Sequence, residues 1–305
     1  MRVRVPSFAK INWMLEVLGA RPDGYHEVRA VLQTIDLTDV LDVERTEEEI
    51  EVLCAHPDVP EGEANLVFRA AHLLRRAKGV KAGARIRIEK RIPVAAGLGG
   101  GSSNAAVALL ALARLWGVAL EVGEQLELGG ALGSDVPFFL LGGTALGIGR
   151  GDEVYPLPEV RASLLVLANP GFPISTAWAY RQLTKRGPVG NISVCSRVWH
   201  RAVREGEPPP LSEIVVGNAF EEIVRERYPE LARGLDRMRE LGAVAVGLSG
   251  SGPTIFGVFD SESAAIRAEA AFATLGWWRA RTRTVSRRQY WERLSAALST
   301  EASRP

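Results

Sequence analysis

The chain has 305 residues with 37 basic against 36 acidic side chains, which predicts two domains and excludes the strongly basic field that nucleic-acid binding needs. Two distant cysteines, Cys54 and Cys195, and four scattered histidines predict neither a disulfide framework nor a zinc site. The N-terminus lacks the apolar stretch of a secretory signal, and the longest apolar run, residues 105–112, is too short to cross a membrane, so we expect a cytoplasmic protein without membrane or nucleic-acid partners.

The first half of the chain predicts strands followed by helices. Alternating or β-branched runs indicate strands within residues 3–5, 11–18, 28–35, 40–43, 50–53 and 84–92. Apolar residues at helical spacing indicate helices over residues 64–78, 102–116 and 122–132. Each of these helices is followed at once by a glycine, which favours its termination there.

The second half, which begins near Pro156, predicts strands and helices in alternation. The predicted strands are 163–168, 244–248, 254–259 and 279–285. The predicted helices are 175–183, 197–204, 218–226, 229–241 and 261–275. We therefore expect domains at residues 1–155 and 156–288. Because the tail is polar, we expect disorder over residues 289–305.

The most informative segment is the glycine-rich Pro93-Val-Ala-Ala-Gly-Leu-Gly-Gly-Gly-Ser-Ser-Asn104, between a predicted strand and a predicted helix. Glycines let the backbone approach a ligand without a Cβ atom in the way, and the free N–H groups of the following helix suit a phosphate. No lysine follows the glycines as in a Walker loop, and the spacing also fails GxGxxG. A flexible turn with a helix cap is the alternative, but the glycine and serine content favours a third kind of phosphate loop.

Two charged residues are candidates for phosphoryl-transfer chemistry. Lys10 is one of only five lysines and lies in the apolar segment Phe8-Ala-Lys-Ile-Asn12, while Asp135 lies in Gly133-Ser-Asp-Val-Pro137. A buried pair of the two would provide a positive charge and an acceptor for a hydroxyl proton. The alternatives are a lysine that extends from an edge strand to water and an aspartate that caps a turn or helix.

Three further segments are ambiguous from their residues alone. Leu248-Ser-Gly-Ser-Gly-Pro-Thr254 is either a plain tight turn or a turn whose N–H groups line a cleft. Arg21-Pro-Asp-Gly-Tyr-His26 joins a β-turn signal to an aromatic ring and a histidine, although a turn with a surface tyrosine explains it as well. The arginines of residues 279–288 fit a nucleic-acid patch or the solvated face of a strand.

Together, these segments resemble the GHMP kinases, the small-molecule kinases named after galacto-, homoserine, mevalonate and phosphomevalonate kinases. The glycine-rich loop is similar to the family's second signature, and the Ala9-Lys-Ile-Asn12 and Arg21–His26 segments are similar to its members with a cytidine diphosphate sugar-alcohol substrate. The matching segments run in order from residue 6 to about residue 285. The resemblance implies an α+β fold with an S5-like N-terminal domain, a ferredoxin-like C-terminal domain and the active site in the cleft between them.

The resemblance also implies an activity: ATP-dependent phosphorylation of the 2-hydroxyl of 4-diphosphocytidyl-2-C-methyl-D-erythritol, a step of non-mevalonate isoprenoid biosynthesis. Asp135 would accept the hydroxyl proton, and Lys10 would hold Asp135 and stabilise developing charge. Tyr25 would stack on the cytosine, and His26 would bind its hydrogen-bonding edge. The other acceptor-binding residues that it implies are Asn12, Thr176, Tyr180 and Gly250.

For ATP, the resemblance implies binding to the glycine-rich loop, with the phosphates over residues 96–103. The residues concerned are Pro93, Val94, Ala95, Ala96, Gly97, Leu98, Gly99, Gly100, Gly101, Ser102, Ser103 and Asn104. Mg²⁺ would arrive with ATP, with Ser103 a candidate contact, and no cofactor would be tightly bound. We expect a monomer or a weak homodimer.

Two alternatives stay open. One is a GHMP kinase for another small alcohol, such as homoserine or mevalonate, against which Tyr25 and His26 argue because such a substrate has no base to bind. The other is a ligand-binding relative that has lost catalysis, against which the presence of both Lys10 and Asp135 argues.

Overall fold

The computed structural model describes residues 2–186, 193–210, 213 and 216–300, which form two β-sheets with helices packed on them. Within these residues, no helix is both long enough and apolar enough to span a membrane.

Strands and α-helices account for the regular structure of this part of the chain, together with one 3₁₀ turn (Gly62–Ala64). The strands are β1 (Arg2–Ala20), β2 (His26–Thr46), β3 (Ile50–Cys54), β4 (Gly83–Glu89), β5 (Thr144–Gly149), β6 (Glu153–Pro156), β7 (Leu164–Asn169), β8 (Gly217–Asn218), β9 (Ala245–Leu248), β10 (Ile255–Phe259) and β11 (Trp278–Arg283). The helices are α1 (Leu66–Lys78), α2 (Gly100–Trp116), α3 (Val122–Leu132), α4 (Val136–Leu141), α5 (Thr176–Arg186), α6 (Ser193–Glu205), α7 (Glu221–Arg227), α8 (Pro229–Glu240), α9 (Glu262–Thr274) and α10 (Arg287–Ser299).

A long antiparallel hairpin of β1 and β2 organises the first, seven-stranded sheet. The opposite edge of β2 pairs with β4 through residues 40–46 and with β5 through residues 28–33, and β3 and β6 extend these two branches. From later in the chain, β8 adds to the free edge of β1 in parallel. This pairing covers only residues 14 and 15 of β1, but all residues from 7 to 16 of the strand are buried.

The second sheet is antiparallel with the order β11-β7-β10-β9. Numbered within this sheet, the order is 4-1-3-2, and helices connect its first strand to its second and its third to its fourth. This is the βαββαβ arrangement of a ferredoxin-like fold. The fold class predicted from the resemblance is confirmed, whereas the division near residue 155 stays a prediction.

α2 is the central helix of the first half. Its middle, Ala105-Ala-Val-Ala-Leu-Leu-Ala-Leu-Ala113, is apolar on all sides, and most of its residues are buried, as expected for a helix segment without a polar face. It packs on β1 and β2 and against α1 and α4. The start of α2, directly after the glycine-rich loop, is thereby placed beside the middle of β1, where the Lys10 N–H donates to Leu98 O at 3.0 Å.

Two of the three arginines of β11, Arg281 and Arg283, are ion-paired on a solvated face. Arg281 contacts Glu269 at 2.5 Å and Glu262 at 3.1 Å, and Arg283 contacts Glu262 at 3.2 Å. Because these acidic partners come from α9, the strand does not form an unbalanced basic patch. The solvated-face interpretation accounts for this segment.

Disorder of the tail is the prediction that the structure contradicts most clearly. Residues 287–299 form α10, which Ser286 caps by accepting from the Gln289 N–H while the Gln289 side chain accepts from the Ser286 N–H. Tyr290 and Leu294, one turn apart, are fully buried. The prediction was wrong over this range because the polar residues of α10 mask a narrow apolar stripe; residues 301–305 lie outside the described residues.

Candidate active site

A cleft of about 650 Å³ brings most of the predicted site residues together. It is lined from β1, the turn before β2, the glycine-rich loop, the start of α4, α5 and the turn between β9 and β10. The predicted residues that line it are Lys10, Asn12, Tyr25, His26, Gly97, Gly99, Ser102, Asp135, Thr176, Tyr180 and Gly250.

Lys10 lies at the centre of the cleft rather than extending to water. Positions 10 and 12 of a strand face the same side, and Lys10 Nζ donates to Asn12 Oδ1 at 2.7 Å. Lys10 Nζ also lies 3.7 Å from Asp135 Oδ2. With only 4% of the residue exposed, the ammonium group is held by these two partners.

Asp135 stands directly before α4, yet its side chain makes no capping hydrogen bond with that helix. The alternative of a helix-capping aspartate is therefore not what the structure has. The side chain is 38% exposed, so one carboxylate oxygen faces Lys10 while the group stays accessible from the cleft. A carboxylate in this position can accept a proton from a bound hydroxyl.

The glycine-rich loop needs its glycines because the second Gly/Ser turn and α4 pack directly on it. A Cβ atom at Gly97, where φ is +78°, would lie 2.1 Å from Ser249 O, and one at Gly99, where φ is +70°, would lie 2.8 Å from Phe139 Cζ. Ser249 Oγ donates to Gly97 O at 2.9 Å. No side chain caps α2, so the N–H groups of its first turn remain available to a phosphate.

The loop separates two cavities. The second, of about 320 Å³, shares Gly97, Gly99 and Ser102 with the larger cleft and is otherwise lined by the loop, Lys90 and the residues before and at the start of α1. An elongated ligand that crosses the loop can occupy both cavities. Three of the predicted phosphate residues, Gly97, Gly99 and Ser102, thus lie where the two spaces meet.

Ser103 does not fit its expected contact with a metal. It is fully buried, and its Oγ accepts from Ser7 Oγ at 2.7 Å. Ser102, the adjacent residue, lines both cavities. Successive helical residues point about 100° apart, so only the first of the two hydroxyls faces the ligand space.

The second Gly/Ser turn is part of the cleft and not a plain turn. The Gly250 N–H donates to Asn12 Oδ1 at 3.0 Å, and Asn218 Nδ2 donates to Leu248 O and to Gly250 O, both at 2.8 Å. Asn12 therefore accepts from the Lys10 ammonium and from this turn with one oxygen. The Thr176 and Ser251 hydroxyls are hydrogen-bonded at 2.9 Å on the same side.

Three rings, those of Tyr25, His26 and Tyr180, also line the cleft. Tyr25 is 51% exposed, and the ring of His26 stacks on Tyr180 with centroids 4.6 Å apart. Burial, with a smaller contribution from the Asp135 carboxylate, raises the pKa of Tyr180 to about 12, so this ring stays neutral. The rings give the cleft aromatic faces against which a flat base can pack.

The tautomer of His26 follows from its neighbour. The Thr184 hydroxyl donates to Tyr180 O at 3.1 Å, and a hydroxyl has only one hydrogen to donate. Thr184 Oγ1 must then accept from His26 Nε2, 2.8 Å away. In the neutral ring this leaves Nδ1 as the acceptor.

Comparison with known proteins identifies the family. Residues 65–143 match the model of the GHMP kinases N terminal domain, and residues 199–276 match that of the GHMP kinases C terminal. The chain is 46% identical over 261 residues to the 4-diphosphocytidyl-2-C-methyl-D-erythritol kinase of Pelotomaculum thermopropionicum, a match that covers 84% of this chain and 89% of that one. This chain belongs to that family of GHMP kinases.

Solved structures of GHMP kinases agree with this assignment. A crystal structure of 4-(cytidine 5'-diphospho)-2C-methyl-D-erythritol kinase superposes with a TM-score of 0.76 at 36% identity and covers 93% of this chain and 100% of that chain. A homoserine kinase from Cytophaga hutchinsonii superposes with a TM-score of 0.70 at 17% identity, with 93% and 95% covered. At that identity the homoserine kinase shares the fold alone. The predicted family is confirmed.

Sequence reasoning missed two residues that line the cavities, Arg150 and Lys90, and the buried carboxylate that pairs with Lys90. Arg150, whose guanidinium lies over the Tyr25 ring at 5.0 Å, lines the larger cleft between β5 and β6, neither of which was predicted. Lys90 lines the smaller cavity and contacts Asp39 at 2.5 Å, with both side chains almost fully buried. A charged pair so separated along the chain leaves no signal in local patterning.

The Asp39 carboxylate joins the glycine-rich loop to β2. Its Oδ1 accepts from the Arg91 and Ile92 N–H groups at 2.7 and 2.9 Å, and its Oδ2 accepts from Asn104 Nδ2 at 3.0 Å as well as from Lys90. Asn104, predicted as an ATP-binding residue, uses its amide in this way and in a hydrogen bond to Ser7 at 2.9 Å. The network fixes both ends of the loop.

Proposed function

We propose that this protein transfers the γ-phosphoryl group of ATP to the 2-hydroxyl of 4-diphosphocytidyl-2-C-methyl-D-erythritol, giving the 2-phosphate and ADP. The observation that carries the proposal is the buried Lys10 ammonium, 2.7 Å from Asn12 and 3.7 Å from Asp135, where the glycine-rich loop meets the larger cleft. Catalysis of phosphoryl transfer depends mainly on positioning and on positive charge rather than on covalent chemistry by the protein. The reaction belongs to non-mevalonate isoprenoid biosynthesis.

In this proposal, ATP lies across the loop, with its nucleoside in the smaller cavity and its phosphates on the N–H groups between Gly97 and Ser102. The γ-phosphate then reaches the larger cleft beside Lys10. Two features support the placement: the loop backbone is uncapped, and Gly97, Gly99 and Ser102 line both cavities. Lys90 and Asn65, in the wall of the smaller cavity, are placed to contact the nucleoside.

Mg²⁺ would arrive with the nucleotide and neutralise charge on its phosphates when bound. The described residues contain no group of three or more His, Cys, Asp or Glu side chains that could hold a metal, which fits an ion bound through phosphates and water. Asp135 and the Ser102 hydroxyl are oxygen donors of the cleft that could contact such an ion. Ser102 takes the place that the sequence assigned to Ser103.

The acceptor would lie with its cytosine against Tyr25, His26 and Tyr180. His26 Nδ1, left as an acceptor by the Thr184 contact, suits the exocyclic amine of cytosine. The methylerythritol end then extends past Thr176 and Gly250 toward Asn12, which places its 2-hydroxyl between Asp135 and the γ-phosphate.

Transfer forms a bond between the acceptor oxygen and the γ-phosphorus and breaks the bond to the oxygen that bridges the β- and γ-phosphates. The hydroxyl proton passes to Asp135, and ADP leaves with the bridging oxygen. A carboxylate is a weak base for an alcohol, so we assign most of the rate to positioning and to the Lys10 charge. Residues of one chain line both cavities, so the proposed reaction does not require a second subunit.

The test is ADP release with ATP, Mg²⁺ and the cytidyl acceptor, with homoserine and mevalonate as controls. We expect turnover with the cytidyl compound alone, and we expect Asp135→Asn to lower kcat by about 100-fold or more while ATP binding, measured by calorimetry, is retained. Equal turnover of homoserine or mevalonate would contradict the acceptor assignment. Normal turnover by Asp135→Asn would contradict the role of that carboxylate.

A further inference from the structure

The C-terminal helix α10 lies behind the Lys10–Asp135 pair and contacts the elements that carry both residues. On one side it packs against α4, which begins directly after Asp135. On the other it packs on β1 at Phe8, two residues before Lys10. No side chain of α10 lines the cleft itself, so any effect on the reaction passes through these two elements.

α4 cannot satisfy its own last carbonyl groups. It has only six residues, and the Gly143 N–H, which would bond Phe139 O in a continuing helix, donates instead to Thr34 Oγ1 at 3.0 Å. Tyr290 OH donates to Phe139 O in its place. Trp291 Nε1 donates to Leu141 O at 3.0 Å. Two side chains of α10 thus complete the C-terminal end of α4.

The Tyr290 hydroxyl is suited to this role. The residue is fully buried, and burial raises its pKa, so the phenol remains a donor at every physiological pH. α10 must also lie very close to the end of α4, because a Cβ atom at Gly142, which ends α4, would lie 2.5 Å from Tyr290 Cδ1. The glycine allows the contact to form.

The same helix fixes β1. The ring of Tyr290 packs against Phe8 with centroids 5.1 Å apart, and the Arg293 guanidinium lies 4.6 Å from the centroid of Phe8. Arg293 also donates to Asp36 Oδ1 in β2 at 2.7 Å. α10 therefore ties α4 to the β1–β2 hairpin at the level of the catalytic pair.

We propose that Tyr290 and Trp291 are positioning residues for the phosphoryl transfer, acting through α4 to hold Asp135 at its distance from Lys10. The inference rests on the proposed function, because the distance between Asp135 and Lys10 affects the rate only if both residues act in phosphoryl transfer. Without the two donors, the last turn of α4 has unpaired carbonyls and can tilt, which displaces the residue at its other end. A small displacement of a reacting group lowers the rate without removing a substrate contact.

The experiment compares Tyr290→Phe, Trp291→Phe and the double variant with Ser295→Ala, which removes a hydroxyl from the exposed face of the same helix. We expect the double variant to lose about tenfold or more in kcat, with KM for ATP and for the acceptor within about twofold of wild type. Ser295→Ala should match wild type. Assays are run below the melting transition of every variant, as determined by calorimetry.

A second measurement separates positioning from a general structural role. If Tyr290 acts through Asp135, Tyr290→Phe should lower kcat much less in an Asp135→Asn background than in wild type, because the group it positions has been removed. Equal losses in both backgrounds, unchanged kcat in the double variant, or a loss confined to KM would each overturn the inference. Absence of turnover by wild type would instead overturn the proposed function on which it rests.

Discussion

Replacing Lys10 by methionine tests the centre of the proposed site. Methionine keeps most of the length of the side chain but removes the ammonium group that lies 3.7 Å from Asp135. Asn12 Oδ1 loses one donor but keeps the Gly250 N–H at 3.0 Å, so no buried acceptor is left without a partner. The substitution therefore removes charge from the cleft with little disturbance of its walls.

The expected losses in rate and in stability differ greatly. Two unit charges about 4 Å apart interact by up to about 4 kcal/mol near a protein surface, and removal of one preorganised stabilising group typically costs about 10²- to 10³-fold in kcat. The Asp135 side chain, however, is 38% exposed, so solvent screens the ground-state pair and its contribution to folding is about 1 kcal/mol or less. We expect kcat to fall by about 10²- to 10³-fold with little change in Tm.

The assay is steady-state ADP release, with nucleotide binding measured by calorimetry and Tm by differential scanning calorimetry. Lys81→Met is the matched control, since Lys81 is exposed and outside both cavities. A kcat for Lys10→Met within about threefold of wild type would refute the argument from charge stabilisation. A large fall in Tm with proportional loss of activity would refute the argument that the pair serves the reaction rather than the fold.

Three further predictions concern the acceptor, the loop and pH. Tyr25→Ala should raise KM for the cytidyl acceptor by about 5- to 150-fold through lost base stacking without changing KM for ATP. Tyr155→Ala is the control, because Tyr155 is equally exposed at 51%. Equal effects of the two substitutions in kinetic assays would contradict the stacking role. Asp39→Ala should lower the free energy of unfolding in urea by about 3–5 kcal/mol, because it leaves buried Lys90 unpaired. Asp58→Ala on the surface should lower it little. A small loss for Asp39→Ala would mean that the network is dispensable. The pKa of Tyr180 is raised from 10.0 to about 12, so its contribution to stability is complete below pH 10 and is lost as pH rises toward 12, because the unfolded chain releases the proton first. Urea midpoints across that range should therefore fall less steeply for Tyr180→Phe than for wild type, and parallel curves would disprove this.

Local patterning served well where a segment's own residues set its conformation. Two helices end at Gly79 and Gly117 as predicted, and the structure shows both glycines in the left-handed conformation. Local patterning did not predict α4, whose six apolar residues show no alternation with polar ones. It also did not predict β5, whose Thr-Ala-Leu-Gly-Ile-Gly sequence has weak strand propensity. Both depend on neighbours distant in sequence. For α10, the Ser286 and Gln289 capping box was a local signal that could have indicated the helix.

The family and the fold class follow from the sequence alone, because short motifs and local spacing carry them. Only the tertiary structure decided that Ser102 rather than Ser103 faces the ligand space, that Arg150, Lys90 and Asp39 belong to the site, and that α10 supports α4. The physical reason is that these outcomes depend on burial and on contacts between residues up to 151 positions apart. Propensity acts over a few residues, whereas such contacts exist only once the sheets and helices have packed.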